Sequence, residues 1–416
     1  MSLSAVTSLE ASKLKKPELL APAGDMERLV MALSYGADAV YLSGRRFGMR
    51  ASAGNFGPEE LKAAGRLCRQ YGAAMYVACN TVMRGDDIKA LPPFLESLQE
   101  AGAHAVIVSD LGALALVKKH APGLGVHIST QAGVTNAESA RLLYELGASR
   151  VILARELTLN EIADIRRRTP PDLELEVFVH GAMCVSFSGR CLLSNYLTGR
   201  DANAGACAQP CRWKYHLVEE KRPGEYLEIV EDGGAFIFNS RDLCMIDHIP
   251  ALLEAGVDSL KIEGRQKSFY YAAVVTNAYR QAVDAAARGL PLDRRWAEEV
   301  NKVSHRPYST GFYFDKNGPG QYYQDGMYFS DADVVAVVED CEEDGSALLT
   351  QRNKFSRGDT LELVMPGRLP IPFVAGELRD ETGAEIDATP HPMMVFRLVL
   401  PVRAPKYALV RKPRQQ

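Results

Sequence analysis

The chain has 416 residues, 47% of them hydrophobic and 24% charged, a balance that excludes collagen-like, coiled-coil and wholly disordered architectures and suits one large domain followed by a small one. With 48 Lys plus Arg against 52 Asp plus Glu the net charge is −4, so RNA binding would need a local patch rather than a global field. No apolar run reaches the roughly 18 residues of a membrane span, and residues 1–17 lack the apolar core of a secretory signal, which points to a cytoplasmic protein with a short disordered leader.

From residue 18 onward a unit recurs in which a helix ends in Gly and a short β-branched run follows. It is read at 35–43, 101–110, 146–155 and 255–263, where Gly36, Gly102, Gly147 and Gly256 take the helix C-cap position that calls for positive φ. Further strands are expected at 19–23, 74–79, 125–130, 175–180 and 236–239. Amphipathic helices are expected at 26–35, 58–71, 136–146, 159–168 and 268–288. The predicted fold class is α/β, a (β/α)8 TIM-type barrel over 18–305 with a Cys-rich insertion at about 181–235 after the seventh strand. Nine strands are counted where eight are needed, and an open doubly wound sheet competes because strand pattern alone cannot show closure. Residues 306–332 read as an extended connector. Short alternating runs at 334–339, 347–351, 360–365, 395–400 and 407–411 predict a small C-terminal all-β, barrel-like domain over 333–416.

A barrel of this kind carries its chemistry at the C-terminal ends of its strands. The expected strands end in Asn80, Asp110, Gln131, Arg155 with Glu156, His180, Asn239 and Glu263, a polar ring suited to a polar ligand. Five of the eight Cys fall within 61 residues, and four follow the spacing C-x6-C-x15-C-x3-C at Cys184, Cys191, Cys207 and Cys211. Four thiolates from one loop suit a [4Fe–4S] cluster, which tolerates irregular spacing. Zinc is the alternative, although only Cys207 and Cys211 form a short hook, and Cys244 could replace Cys211 as fourth ligand. Arg45, Arg46, Arg190, Arg200 and Arg265 follow the strand ends and offer bidentate donors to carboxylate or phosphate, or pair with nearby acids. Trp213, Tyr322 and Tyr323 could stack on an unpaired base or simply pack. No G-x-S-x-G elbow or H-E-x-x-H helix is present, so His180 with Cys184 is the best candidate pair for a peptidase.

The stretch from His180-Gly-Ala-Met-Cys184 to Arg190-Cys191, the segment Gly205-Ala-Cys207-Ala-Gln-Pro-Cys211-Arg-Trp213, the opening Glu18-Leu-Leu-Ala-Pro-Ala-Gly24 and Lys261-Ile-Glu-Gly-Arg265 together resemble the collagenase-like peptidase family U32. The resemblance covers 18–330 and the β domain behind it. It implies an iron–sulfur enzyme that performs prephenate-dependent 5-hydroxylation of wobble uridine in tRNA, with prephenate as co-substrate and tRNA as partner. Other members act on ribosomal RNA or, as a pair of family proteins, on quinone precursors, and the family's peptidase label remains an alternative. On this basis Cys184, Cys191, Cys207 and Cys211 would hold the cluster and the arginines would bind substrate. His180, Gln131, Asn239 and Glu263 would be the catalytic or orienting groups.

Overall fold

The computed structural model describes residues 15–49, 54–184, 186–213, 217–218, 226–227, 240–318 and 328–414. Seven parallel strands come first: β1 (Glu18–Pro22), β2 (Ala39–Leu42), β3 (Ala74–Cys79), β4 (Ala105–Val108), β5 (Gly125–Ile128), β6 (Arg150–Ile152) and β7 (Glu174–Ala182). An excursion then carries the hairpin β8 (Leu217–Val218) with β9 (Tyr226–Leu227), and the short β10 (Asp242–Cys244). Next, β11 (Ser259–Ile262) pairs in parallel with both β7 and β1, with Leu260 opposite Val177 on one side and Leu19 on the other. That double pairing closes the ring of eight and removes the open-sheet alternative. The ninth expected strand, 236–239, lies outside the described residues. Just after it, β10 runs antiparallel to the overhang of β7, Leu243 facing Gly181, and belongs to the rim rather than the ring.

Helices alternate with the strands: α1 (Met26–Ser34), α2 (Pro58–Tyr71), α3 (Gly85–Glu100), α4 (Leu111–His120), α5 (Ala137–Glu145), α6 (Leu159–Arg168), α7 (Leu193–Thr198), α8 (Ile249–Glu254), α9 (Phe269–Ala287) and α10 (Arg294–Glu299). Their starts follow side-chain chemistry, because Asp25, Asp110, Asn136, Thr158 and Ser268 each accept a hydrogen bond from an amide of the first turn that would otherwise lack a partner. Their ends obey the glycine rule: Gly36, Gly102, Gly147 and Gly256 all have positive φ. None of the helices among the described residues is long and apolar enough to cross a membrane.

Beyond the barrel, β12 (Tyr308–Ser309) runs parallel to β10. An antiparallel sheet follows from β13 (Ala332–Cys341), β14 (Ser346–Gln351), β15 (Thr360–Val364), β16 (Ile371–Val374), β17 (Leu378–Asp380), β18 (Glu385–Ile386), β19 (Val395–Val399) and β20 (Leu409–Pro413). It curls around its own core of Leu349, Phe355, Leu361 and Phe396, and a bridge between Ser356 and Ala388 draws its far segments together. It lies along α1 and α9: Tyr35 donates to the carbonyls of Val364 and Tyr407, and Asn277 clasps Met365 and Gly367.

Candidate active site at the barrel mouth

The barrel interior is not wholly apolar. Arg150 of β6 bonds Glu18 at 2.6 Å, Glu174 at 2.7 Å and Glu176 at 3.0 Å, and Lys261 of β11 bonds Glu176 at 2.8 Å. Burial alone would raise the Glu176 carboxyl, but Lys261 and Arg150 outweigh it and hold it below the usual carboxylate range. Above this ionic floor sits a small pocket of about 60 Å³, lined by Tyr41, Asn80, Gln131, Arg155, Phe178, Lys261, Glu263 and Arg265. Asn80 donates to Ser129 at 3.1 Å, and Tyr41 donates to Glu263 at 3.2 Å. Arg155 lies over the Phe178 ring at 3.9 Å and donates to the Ala182 carbonyl at 2.8 Å.

Gln131, Arg155 and Glu263 also border a second cavity of about 520 Å³, roofed by the excursion after β7. Cys184, Cys191, Cys207 and Cys211 all line it, and none is in a disulfide. Burial raises the Cys211 thiol; Arg212 opposes the rise, whereas the neighbouring Cys184 and Cys207 add to it. Among the described residues no three His, Cys, Asp or Glu side chains stand close enough together to hold a metal ion. The four thiols suit an iron–sulfur cluster in kind, being free and bordering one cavity, but as they stand they are not gathered to a metal's width. Cys244 is elsewhere: it sits on β10 with its sulfur 3.8 Å from the Tyr279 hydroxyl, and burial pushes its thiol up to about 11.

The excursion is fastened to the mouth by specific contacts. Glu156 accepts from the Ser188 amide at 2.9 Å and from its hydroxyl at 3.0 Å. Asn203 donates to the Cys191 carbonyl at 3.1 Å, while its own carbonyl accepts from the Val82 amide at 3.0 Å. Gly189 has φ +77°, and a Cβ there would lie 2.2 Å from the Gln131 carbonyl oxygen, so glycine is what permits this approach.

Several expected site residues stand away from the cavities. His180 is buried among Tyr271, Tyr279 and Tyr308, and it faces the hydroxyls of Tyr279 at 3.3 Å and Tyr308 at 3.4 Å. Burial pushes its imidazole down to about 3. Its nearest polar contacts are thus tyrosines rather than Cys184, which is exposed. Asp110 is spent capping α4. Arg45 lies against Gly57, and Arg46 stacks on Phe47 at 4.9 Å and faces Asp87 at 3.8 Å; neither is among the residues lining the two mouth cavities. Arg190 and Arg200 are exposed on the rim, Arg200 donating to the Ala206 carbonyl at 3.0 Å. Arg265 is buried in the mouth and donates to Asn55 at 3.2 Å. Asn239, Tyr322 and Tyr323 lie outside the described residues.

Sequence reasoning gave no site role to Lys261, Phe178 or Lys267. Lys267 lines the cavity, donates to the Ser304 carbonyl at 2.8 Å and is pushed down to about 8, mainly by burial. The usable signal for Lys261 was a charge inside the strand run Ser-Leu-Lys-Ile, where alternation turns it toward the barrel interior. In the excursion after β7, Tyr196 is 83% exposed and Trp213 45%, and Phe187 and Leu192 are exposed as well, so this segment offers flat rings to solvent. A larger open groove of about 1010 Å³ runs past the starts of α5 and α6 and residues 313–317, but it holds none of the thiols.

The description Peptidase family U32 matches residues 24–322, and Peptidase family U32 C-terminal domain matches 330–411. The chain belongs to peptidase family U32. Among its U32 relatives, tRNA hydroxylation protein P1 of Bacillus subtilis is 37% identical over 395 residues, covering 93% of this chain and 92% of the relative. The tRNA hydroxylation protein P of Escherichia coli is 38% identical, covering 84% of this chain and 86% of the relative. A Methanocaldococcus jannaschii protein named Uncharacterized protease MJ0090 is 45% identical, covering 83% of this chain and 86% of the relative.

Proposed function

We propose that this protein is an RNA-modifying enzyme of the cytoplasm that hydroxylates carbon 5 of wobble uridine in tRNA, with prephenate as co-substrate. A [4Fe–4S] cluster would be held by Cys184, Cys191, Cys207 and Cys211, which border the same cavity and would have to draw together around it. The observation that carries the reading is that four free thiols border one cavity at the mouth of a closed barrel, together with Gln131, Arg155, Glu263 and Lys267. The names of the Bacillus subtilis and Escherichia coli relatives supply the substrate class.

When bound, the cluster supplies electron transfer or polarisation of an oxygen donor. The chain's own residues supply the rest. Gln131 and Glu263 present a hydrogen-bonding edge at the junction of the two cavities. Lys267, with its depressed pKa, can shed a proton near neutrality or pair with a phosphate. The exposed Tyr196 and Trp213, with Arg190 and Arg200, suit stacking on an unpaired base and contact with its backbone phosphates.

A peptidase reading draws on the family description and on the name of the archaeal relative. It needs an activated nucleophile, and the His180 imidazole is enclosed by tyrosines.

The test is iron and sulfide analysis with a visible spectrum of oxygen-free protein, wild type beside Cys191→Ser, followed by mass spectrometry of tRNA from a deletion strain complemented with each. Wild type should carry about four irons per chain and restore the hydroxylated uridine, and Cys191→Ser should lose both. Iron-free wild type, or tRNA unchanged by deletion, overturns the reading. Cleavage of denatured collagen by the purified protein would favour the peptidase instead.

A further inference from the structure

We infer that Arg155 is the anchor for a carboxylate of a small-molecule ligand, seated in the mouth pocket with the body of that ligand in the thiol-lined cavity. The inference rests on the proposed prephenate-dependent reading for the ligand's identity, but the site itself follows from geometry.

Arg155 stands at the boundary of the two cavities and lines both. It is held from two sides, by the Phe178 ring at 3.9 Å and by the Ala182 carbonyl, which takes one Nη1 proton at 2.8 Å. Those contacts orient the guanidinium without neutralising it, and among the described residues it pairs with no carboxylate. A planar cation fixed in this way, with donors to spare on a cavity wall, is built for bidentate contact with a carboxylate. Arginines elsewhere in the interior are treated differently: Arg150 meets three glutamates and Arg306 meets Asp242 at 2.7 Å.

The surrounding charge agrees. Among the described residues the mouth pocket is lined by the cations Arg155, Lys261 and Arg265 and the carboxylate of Glu263. Lys261 shares the Phe178 ring with Arg155, at 5.4 Å from its centroid, and is balanced from below by Glu176. An incoming anion would therefore meet the Arg155 guanidinium backed by the Phe178 ring. Size sets the division of the ligand. About 60 Å³ admits a carboxylate and the carbon that bears it, whereas the adjoining cavity of about 520 Å³ is in the range of ordinary small-molecule sites.

The experiment is equilibrium binding of prephenate, and of phenylpyruvate as a monocarboxylate, to full-length oxygen-free protein by calorimetry, comparing wild type, Arg155→Gln and Arg155→Lys. Arg155→Gln should weaken both ligands by at least ~10-fold, the loss of one charge-assisted contact, and Arg155→Lys should fall between. Iron content and thermal midpoint should match wild type, since the residue's own contacts are one carbonyl and one ring face. Wild-type protein that binds neither ligand, or Arg155→Gln that binds them unchanged, overturns the assignment. Because binding is read without turnover, failure here is distinguishable from failure of the RNA reading, which shows as unchanged tRNA in the deletion strain.

Discussion

At the scale of the residue, His180 shows how position at a strand end differs from a role in the site. It stands next to the Gly-Ala-Met-Cys stretch, yet its ring is packed edge-on against Tyr279 and tilted against Tyr271 and Tyr308. Its pKa is lowered from 6.5 to about 3, chiefly by burial, so the unfolded chain takes up a proton below pH 6.5 that the folded protein refuses until about pH 3. Stability is therefore lost as pH falls through that window, by up to about 1.4 kcal/mol per unit from this one group. Nearby Asp242 acts in the same direction: burial would raise it, but Arg306 and Lys267 hold it below its usual value, so acid also removes its contribution. His180→Gln keeps hydrogen-bonding capacity without the titration. Urea unfolding from pH 7 to 4 should show a shallower loss of stability for the variant, and parallel curves would mean that His180 is protonated in the fold. The polar ring read from the strand ends was a mixture for a related reason. Asn80, Gln131, Arg155 and Glu263 do reach the mouth pocket, Asp110 is consumed as a helix cap, and His180 is turned into packing. Sequence order places a residue at a strand end but does not say which way its side chain leaves.

At the scale of the element, the helices that carry a clear apolar stripe and a capping residue were legible nearly to the residue, as α2 and α6 show. The α3 helix was not among those read, and it contains Pro92 and Pro93, each of which forfeits a backbone hydrogen bond. It survives because Leu91, Leu95 and Leu98 are fully buried against the barrel. In the C-terminal sheet β16 was missed for a comparable reason, since Ile-Pro-Phe-Val contains a proline that only an edge strand accepts, and β16 is at the edge. The excursion after β7 was legible by its cysteines but not by its fastening, which depends on close backbone approach. Gly189→Ala would force a Cβ into the Gln131 carbonyl and burden a positive φ, costing on the order of 1–3 kcal/mol locally. Amide exchange by mass spectrometry should then speed up across 186–206 while peptides from β1 to β6 keep wild-type protection. Unchanged exchange in that segment would show that Gly189 does not pin it.

At the scale of the whole molecule, the C-terminal sheet is joined to the barrel through buried charge as well as apolar contact. Arg411 of β20, 1% exposed, makes a two-pronged bond to Glu299 at the end of α10, 2.7 Å on each side, and also bonds Glu362 of β15 at 2.6 Å. Tyr35 and Asn277 bond the backbone of the same sheet from α1 and α9, and Arg352 reaches Glu27 at 2.6 Å. These contacts fall on the outside of the barrel, and none of the sheet's described residues lines the thiol cavity. Replacing Arg411 by Met keeps bulk but strands two carboxylates in a buried interface, a change that typically costs about 3–5 kcal/mol. Because the sheet has its own core, the loss should fall on the junction rather than on either part. Arg411→Met is therefore expected to turn a single urea transition, followed by tryptophan fluorescence and circular dichroism, into two separated ones. If the variant instead unfolds in one step at the wild-type midpoint, the ion pair contributes nothing net, and the junction is carried by Tyr35, Asn277 and the apolar surface they seal.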